Sequence, residues 1–533
     1  MARRLAAPPR ATNAPFVEEA EAQRLVEARV NKGIISVIDP ADIDNGALTL
    51  AKEARVRYDR TLRRPGKLDS TPAKPNSVKI QNSYLFKKND GSTYQLRFTK
   101  SSLHRRGVGS WVAITGTLTG GDNDRFSIAT VFDKCFFANG VDRIQVINGA
   151  VTTFADAGTN APRVRYITGF YNRVVGAYEP QSASNGPINI VTSADGDTTK
   201  WPDDASPDPS AVRIPLIESP SDLADYITGV FGFTNVLIIA REKSIWVATK
   251  LPVASNPFNA YAAVPGVGSD CPHSIDSIPG GIVFVDTRTK SVWVYTTGGG
   301  VERIGINVEK DLVSGVSDSA LVFGGYNPRD NEYSACVPIA GTAVVRSWTF
   351  SFNTKAWVYD EVDLLSALDD TDSPFTTFLS FDELAGTFDQ LTGTFDGLVA
   401  SSPPGRPARY YGYANGNLLE ESASATDDAG VAFTMDLQSK EFTLPSDDSH
   451  FAFIRIDYEA KVVGTLTLSY SKDGGQTWRT AKTVAVMQTS RGIVKFRKNI
   501  KARRLRWRLT ASSSDISILG YEVWYYPGGE SKQ

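Results

Sequence analysis

From Ser83 to about Asp436, apolar residues fall in short runs punctuated by Gly, Asn, Asp and Pro, and this period of two constrains the fold more than anything else in the chain. Strand-length runs at intervals of about ten residues predict an all-β sandwich, barrel or propeller. Gly281-Ile282-Val283-Phe284-Val285-Asp286 enters a turn at Thr287 to Lys290 and returns as Ser291-Val292-Trp293-Val294-Tyr295. The same plan recurs in Asn235 to Arg241 followed by Ser244 to Thr249, and in Val344 to Asn353 followed by Ala356 to Asp360. Each return strand carries a tryptophan (Trp246, Trp293, Trp357), and a hairpin repeated with an aromatic in a similar place points to blades. Roughly 350 residues of short strands are too many for one two-sheet core, so a β-propeller of roughly five to seven blades is expected over residues 83–436.

The 533 residues, 41% of them hydrophobic, are material for roughly two to four domains with real cores. The expected fold class is mainly β: a β-propeller with a C-terminal β-sandwich domain and a short helical N-terminal segment. Residues 1–16, with Pro8, Pro9 and Pro15 among alanines and arginines, read as a flexible arm ordered by a partner. Residues 17–82 read as a helical or extended segment, with helices expected over Glu18 to Val30 and Gly46 to Tyr58. Residues 437–533, set off by an acidic linker over Glu420 to Ala429, read as the sandwich. No window has the ~18 apolar residues of a membrane span, and Met1 to Leu5 lacks a signal-peptide core, so folding in a cytoplasm is expected. Cys135, Cys271 and Cys336 each sit in an apolar run and read as buried free thiols.

Two features of the C-terminal part stand out. Ser471-Lys472-Asp473-Gly474-Gly475-Gln476-Thr477-Trp478 matches the S-x-D-x-G-x-T-W pattern of an Asp-box. In that pattern Asp473 bonds amides across the turn, Gly475 supplies a positive φ and Trp478 packs beneath the hairpin, which makes it a stability device. Nearby, basic residues crowd between Arg491 and Arg508. Arg504, Arg506 and Arg508 share one face of a strand, with Leu505, Trp507 and Leu509 on the other. Together with Arg503 they form a candidate interface or DNA-facing row, weighed against a face paired with acidic groups.

No catalytic, cofactor-binding or metal site is expected. His104, His273 and His450 are scattered without metal-ligand spacing, and Cys271 beside His273 is a poor nucleophile pair because neighbours on an extended chain point opposite ways. Gly298-Gly299-Gly300 lacks the ending of a phosphate loop and reads as a turn. Arg213-Ile214-Pro215 resembles the arginine motif of sialidase propellers, which keeps a sialidase-like or glycan-binding propeller, or a tail spike, as the alternative. The lone Asp-box outside the propeller argues against it.

Residues 381–398 hold two full copies and a truncated third of F-D-x-L-x-G-T, a run that resembles repeats of bacteriophage tail proteins. Three further segments extend the resemblance. Asn31 to Ile34, Asp39 to Ile43, Ala47 to Ala54 and Arg60 to Gly66 are similar to the opening of tail nozzle and hub (packaged-DNA-stabilising) proteins of short-tailed phages. Gly266 to Ile275, Gly281 to Val285, Trp293 to Tyr295 and Arg303 to Gly305 are similar to the family's propeller segment, and the C-terminal hairpin completes the order. The resemblance implies a structural virion protein forming a homo-oligomeric ring, a hexamer, below the portal and adaptor. Such a ring continues the DNA channel, retains packaged DNA until ejection and contacts tail fibre or needle proteins.

Overall fold

The computed structural model describes residues 22–69, 73–107, 110–181, 186–253, 255–370, 409–422, 425–446, 449–486, 489–512 and 516–527. The 381–398 repeat and the 1–16 arm lie outside them. Among the described residues, β-structure dominates, and the one α-helix is the single turn Glu309–Leu312.

Between Ile80 and Ser422 the strands form seven antiparallel sheets of four, in chain order, in a propeller-like ring. The first strands of these sheets are Ile80–Lys87, Ser127–Val131, Tyr166–Phe170, Ile227–Gly232, Asp276–Ile278, Phe323–Asn327 and Leu365–Asp370. All seven line one central cavity and so lie innermost. Leu365–Asp370 meets Ile80–Lys87, which closes the ring. In the seventh sheet the outermost strand is Gly66–Asp69, drawn from the N-terminal part of the chain to pair with Leu418–Ser422. The ring is therefore fastened by hydrogen bonds between residues more than 300 positions apart.

Period two explains the packing. Successive side chains leave opposite faces of a strand, so each sheet feeds two neighbouring cores. Phe137 packs with Phe98 and Phe154 between the first and second sheets, whereas Phe136 joins Ile167 and Val174 between the second and third. Val174 and Val175 divide in the same way, as do Ile238 and Ile239. A strand buried on both faces reads as a nearly continuous apolar run, which is why Gly281–Asp286 has no polar face.

The sixth sheet does not stop at its fourth strand. Ala356–Asp363 pairs in parallel with Leu48–Lys52 through Lys52 and Tyr359, and the sheet continues through Met435–Ser439, Arg504–Ala511, Gly464–Ser471 and Arg479–Val486. A second sheet holds Ala54–Arg57, Arg60–Arg63, Ile516–Tyr526, His450–Ala460 and Thr489–Ile500, with Gln23–Arg29 on Ile516–Tyr526. The two layers share a core in which the Trp507 and Tyr521 rings lie 5.1 Å apart.

The expected N-terminal helices are thus strands. Leu48, Ala51 and Ala54 are all buried, at a spacing of three that imitates one face of a helix. That spacing arises from a register shift between Leu48 and Leu50 and from Glu53, which takes φ 55° where the chain passes from one layer to the other. The expected linker Glu420 to Ala429 is also structural: Glu420 to Ser422 lie in the seventh sheet, and Asp428 sits in a buried ion cluster.

Candidate functional site

Three regions concentrate polar chemistry, and the first is the junction between the ring and the C-terminal layers. Arg55 pairs with Asp360 at 2.9 Å and Arg57 with Asp330 at 3.3 Å. Arg64 and Lys67 both reach Asp428, at 2.7 and 2.9 Å, and Arg64 also holds Glu53. Arg329 pairs with Glu421 at 2.8 Å. These groups bind the N-terminal strands to the sixth and seventh sheets at once. The Arg63 and Arg64 guanidiniums each lie 3.7 Å from the centre of the Phe433 ring. Beside them opens a cleft of about 590 Å³ lined by Lys52, Glu361, Asp436 and Arg508. Its charges are already matched, Lys52 with Glu361 at 2.5 Å and Arg508 with Asp436 at 2.6 Å, so it offers little to an ionic ligand.

The C-terminal hairpin is the second region. Ser471 Oγ accepts the Gly475 amide at 2.9 Å and donates to Asp473 at 2.6 Å, while Asp473 accepts the Thr477 amide at 2.9 Å. The Ser471 and Thr477 hydrogen bonds hold the Asp473 carboxyl well below the usual range. Gly475 takes φ 96° and lies so close to Arg506 that a Cβ would stand 2.7 Å from Nη1. Trp478 is half-buried, with the Arg506 and Arg508 guanidiniums 6.0 and 5.9 Å from its ring.

The expected basic row is divided by the structure. Arg506 is buried and donates to the carbonyls of Ser439 at 3.2 Å and Gly474 at 2.7 Å and to the Thr49 hydroxyl, so it cannot face DNA. Arg508 pairs with Asp436, and the exposed Arg504 reaches Glu441 at 3.2 Å. Arg503 is exposed at the turn before that strand. Arg504 and Arg508 thus serve the chain's own acidic groups and Arg506 its carbonyls, in keeping with the place of Arg504–Ala511 as an interior strand of its sheet.

The third region is the axial channel, a cavity of about 440 Å³ lined by the innermost strands of all seven sheets. Arg125 and Arg165 stand just before the innermost strands of the second and third sheets, and His273 just before that of the fifth. His273 bridges in parallel to Phe323, whose ring lies 4.2 Å under the Arg125 guanidinium. Burial and the charges of Arg125 and Arg165 bring the imidazole down to about 3, so it is neutral at pH 7. Two carboxylates line the same wall. Asp276 accepts the Tyr326 and Ser277 amides at 2.7 Å each, and Asp369 accepts Gln95 Nε2 at 3.2 Å. The channel residues were not anticipated from sequence. Their signal is a local repeat: Arg125-Phe126 and Arg165-Tyr166 each lead into a strand that is followed by a left-handed turn, at Phe132-Asp133 and Tyr171-Asn172.

Arg213 is remote from this channel. It lies in Arg213–Pro215, the outermost strand of the third sheet, and its guanidinium is engaged by Glu179 at 2.8 Å and Asp203 at 2.7 Å. All three cysteines are buried, and burial pushes the Cys336 thiol up to about 12, which removes it as a nucleophile at neutral pH. Among the described residues no group of three His, Cys, Asp or Glu side chains is placed to hold a metal ion.

The chain matches no family model and no curated protein. Among solved structures it is similar to a streptogramin B lyase at 10% identity over 67% of this chain and 96% of that one, with a TM-score of 0.36. It is similar to a chain of a mitotic checkpoint complex at 12% identity over 70% of this chain and 99% of that one, with a TM-score of 0.37. A carbohydrate-binding module in complex with beta-1,4-galactotriose is similar at 14% identity over 18% of this chain and 62% of that one, with a TM-score of 0.13. Likenesses this weak bear on neither substrate nor partner.

Proposed function

We propose that this chain is a structural subunit of a short-tailed phage tail, one of six copies in a nozzle or hub ring that continues the DNA channel below the portal and adaptor. In this reading the seven sheets are the blades of a β-propeller and the paired C-terminal layers are a β-sandwich domain. The resemblance in motif order supplies the family. The observation that carries the reading is mechanical: the sheet running from the sixth blade through Leu48–Lys52 into the C-terminal layer, clamped by the Arg55, Arg64 and Lys67 ion cluster. A ring that holds packaged DNA under load needs subunits that do not hinge, and a shared sheet with buried ion pairs resists hinging at the domain junction.

DNA does not pass through the propeller itself. An axial cavity of about 440 Å³ cannot admit a duplex whose major groove alone is about 12 Å wide. The lumen therefore lies between copies, and a chain of net charge −2 gives it little tendency to grip phosphates and stall ejection. Packaged DNA, the portal and adaptor, and fibre or needle proteins are the partners, and the virion tail is the location.

Native mass spectrometry of the full chain tests this reading. A species of six times the 57.9 kDa subunit is expected. A monomer at every concentration would contradict it, and a fluorogenic sialoside turned over by the wild type but not by Arg213→Ala would favour the sialidase-like alternative.

A further inference from the structure

The axial channel carries two cations that no carboxylate contacts directly among the described residues. Arg125 donates to the Gln81 carbonyl at 3.4 Å and stacks on Phe323, and Arg165 lies 4.9 Å from the Tyr178 ring; neither forms an ion pair with a carboxylate among the described residues. This contrasts with Arg55, Arg57, Arg64, Arg213, Arg329 and Arg508, each of which has an acidic partner. Burial brings the Arg125 guanidinium down to about 10, as a cation in narrow surroundings without a counter-charge should behave. Asp276 and Asp369 on the same wall are occupied by chain donors.

An independent observation lies on the innermost strand of the fourth sheet, between the sheets that carry Arg165 and His273. Thr228 is 5% exposed, lines the channel, and its hydroxyl has no hydrogen-bond partner. The pairing of Ile227–Gly232 with Leu237–Arg241 skips Thr228, because the register passes from Ile227↔Arg241 to Gly229↔Ala240. A bulge of this kind re-aims a side chain, and a buried hydroxyl is destabilising unless something bonds to it. The His273 imidazole, with a donor and an acceptor nitrogen, completes the set.

We propose that the channel mouth is a binding site for a small oxyanion of phosphate size, either free phosphate or the phosphate group of a small metabolite, held by Arg125 and Arg165 with Thr228 and His273 as hydrogen-bonding partners. Guanidiniums match tetrahedral and planar oxyanions through paired N–H groups, and two of them favour a dianion. The cavity exceeds what phosphate alone needs and lies within the size range of small-molecule sites, so a phosphorylated sugar also fits. The site belongs to a single subunit and does not rest on the tail reading.

Isothermal titration calorimetry of the full chain with inorganic phosphate, glucose 6-phosphate and glucose tests the proposal. Saturable binding of either phosphate compound and none of glucose is expected. Equal affinities would identify the phosphate group alone as the ligand, and tighter binding of the sugar phosphate would place the sugar deeper in the channel; both sustain the proposal. Arg165 is exposed, so Arg165→Gln should keep its melting temperature and weaken binding about tenfold or more. Thr228→Val should weaken it severalfold. No saturable heat with either phosphate compound, or unchanged affinity in Arg165→Gln, would overturn the site. So would a short oligonucleotide that displaces phosphate with affinity rising with its length, since that marks a nucleic-acid surface.

Discussion

Arg64 and Asp428, 364 residues apart, meet in a two-pronged ion pair, Nη1 to Oδ1 at 2.9 Å and Nη2 to Oδ2 at 2.7 Å, with the arginine side chain 2% exposed. Lys67 shares the same carboxylate at 2.9 Å. Burial opposes ionisation of Asp428, but the Arg64 hydrogen bonds and the Lys67 charge outweigh it and hold the carboxyl below its usual range. This one side chain ties the closing strand of the ring to the segment that leads into the C-terminal layers.

Removing it should therefore be costly. Asp428→Asn leaves two buried cations without their shared partner and is expected to destabilise by about 3 kcal/mol. Lys67→Met, which removes a buried charge whose ionised form burial already disfavours, should cost less than Asp428→Asn. Urea unfolding of the two variants in parallel gives the order.

Arg506 and Arg504 separate structure from surface. Arg506→Ala takes a buried donor from the Ser439 and Gly474 carbonyls, of which Ser439 keeps the Thr49 hydroxyl as a partner, and empties a buried site, so it should cost about 2–3 kcal/mol. Arg504→Ala removes the contact of an exposed arginine with the buried Glu441 and should cost less than Arg506→Ala. Comparable losses in thermal melts would mean that the basic row is not divided in this way.

In the C-terminal hairpin, Asp473→Ala should speed amide exchange at Thr477, whose N–H then loses its acceptor, with little change at the core strand Arg504–Ala511. The carboxylate is exposed, so the effect is local loosening. Its depressed range means that the hairpin gains from the ionised form above the ordinary aspartate range and loses that gain as pH falls through the folded value. Unchanged Thr477 exchange would refute the turn's dependence on Asp473.

His273 predicts an acid sensitivity with a defined sign. Its folded value is about 3 against 6.5 for a free imidazole, so between these limits the unfolded chain binds the proton and the folded chain does not. Stability should fall as pH drops from 7 toward 4. His273→Gln should melt with a shallower pH dependence over that window. Parallel profiles would show that the imidazole is not held neutral by burial and the charges of Arg125 and Arg165.

The ring was legible in sequence because strands buried on both faces leave uninterrupted apolar runs, as in Gly281–Asp286 and Leu237–Arg241. Blade phase was not. The tryptophan hairpins look equivalent, yet Trp246 and Trp293 lie in third strands and Trp357 in a fourth. The N-terminal strands were hidden by the bulge at Leu48 to Leu50 and the left-handed Glu53, which turn a period of two into an apparent period of three. The bonds of the Asp-box turn, Thr477 to Asp473 and Gly475 to Ser471, are local in sequence. Arg506 was missed as a buried group because its partners at Thr49, Ser439 and Gly474 are distant in sequence, and only the fold assembles them.

Single-particle electron microscopy of the purified full chain tests the central claim most directly. The account predicts closed rings of six copies around a lumen wide enough for duplex DNA, with each copy's axial cavity in the ring wall. Isolated monomers, trimeric spikes, or rings whose only opening is the propeller axis would contradict it.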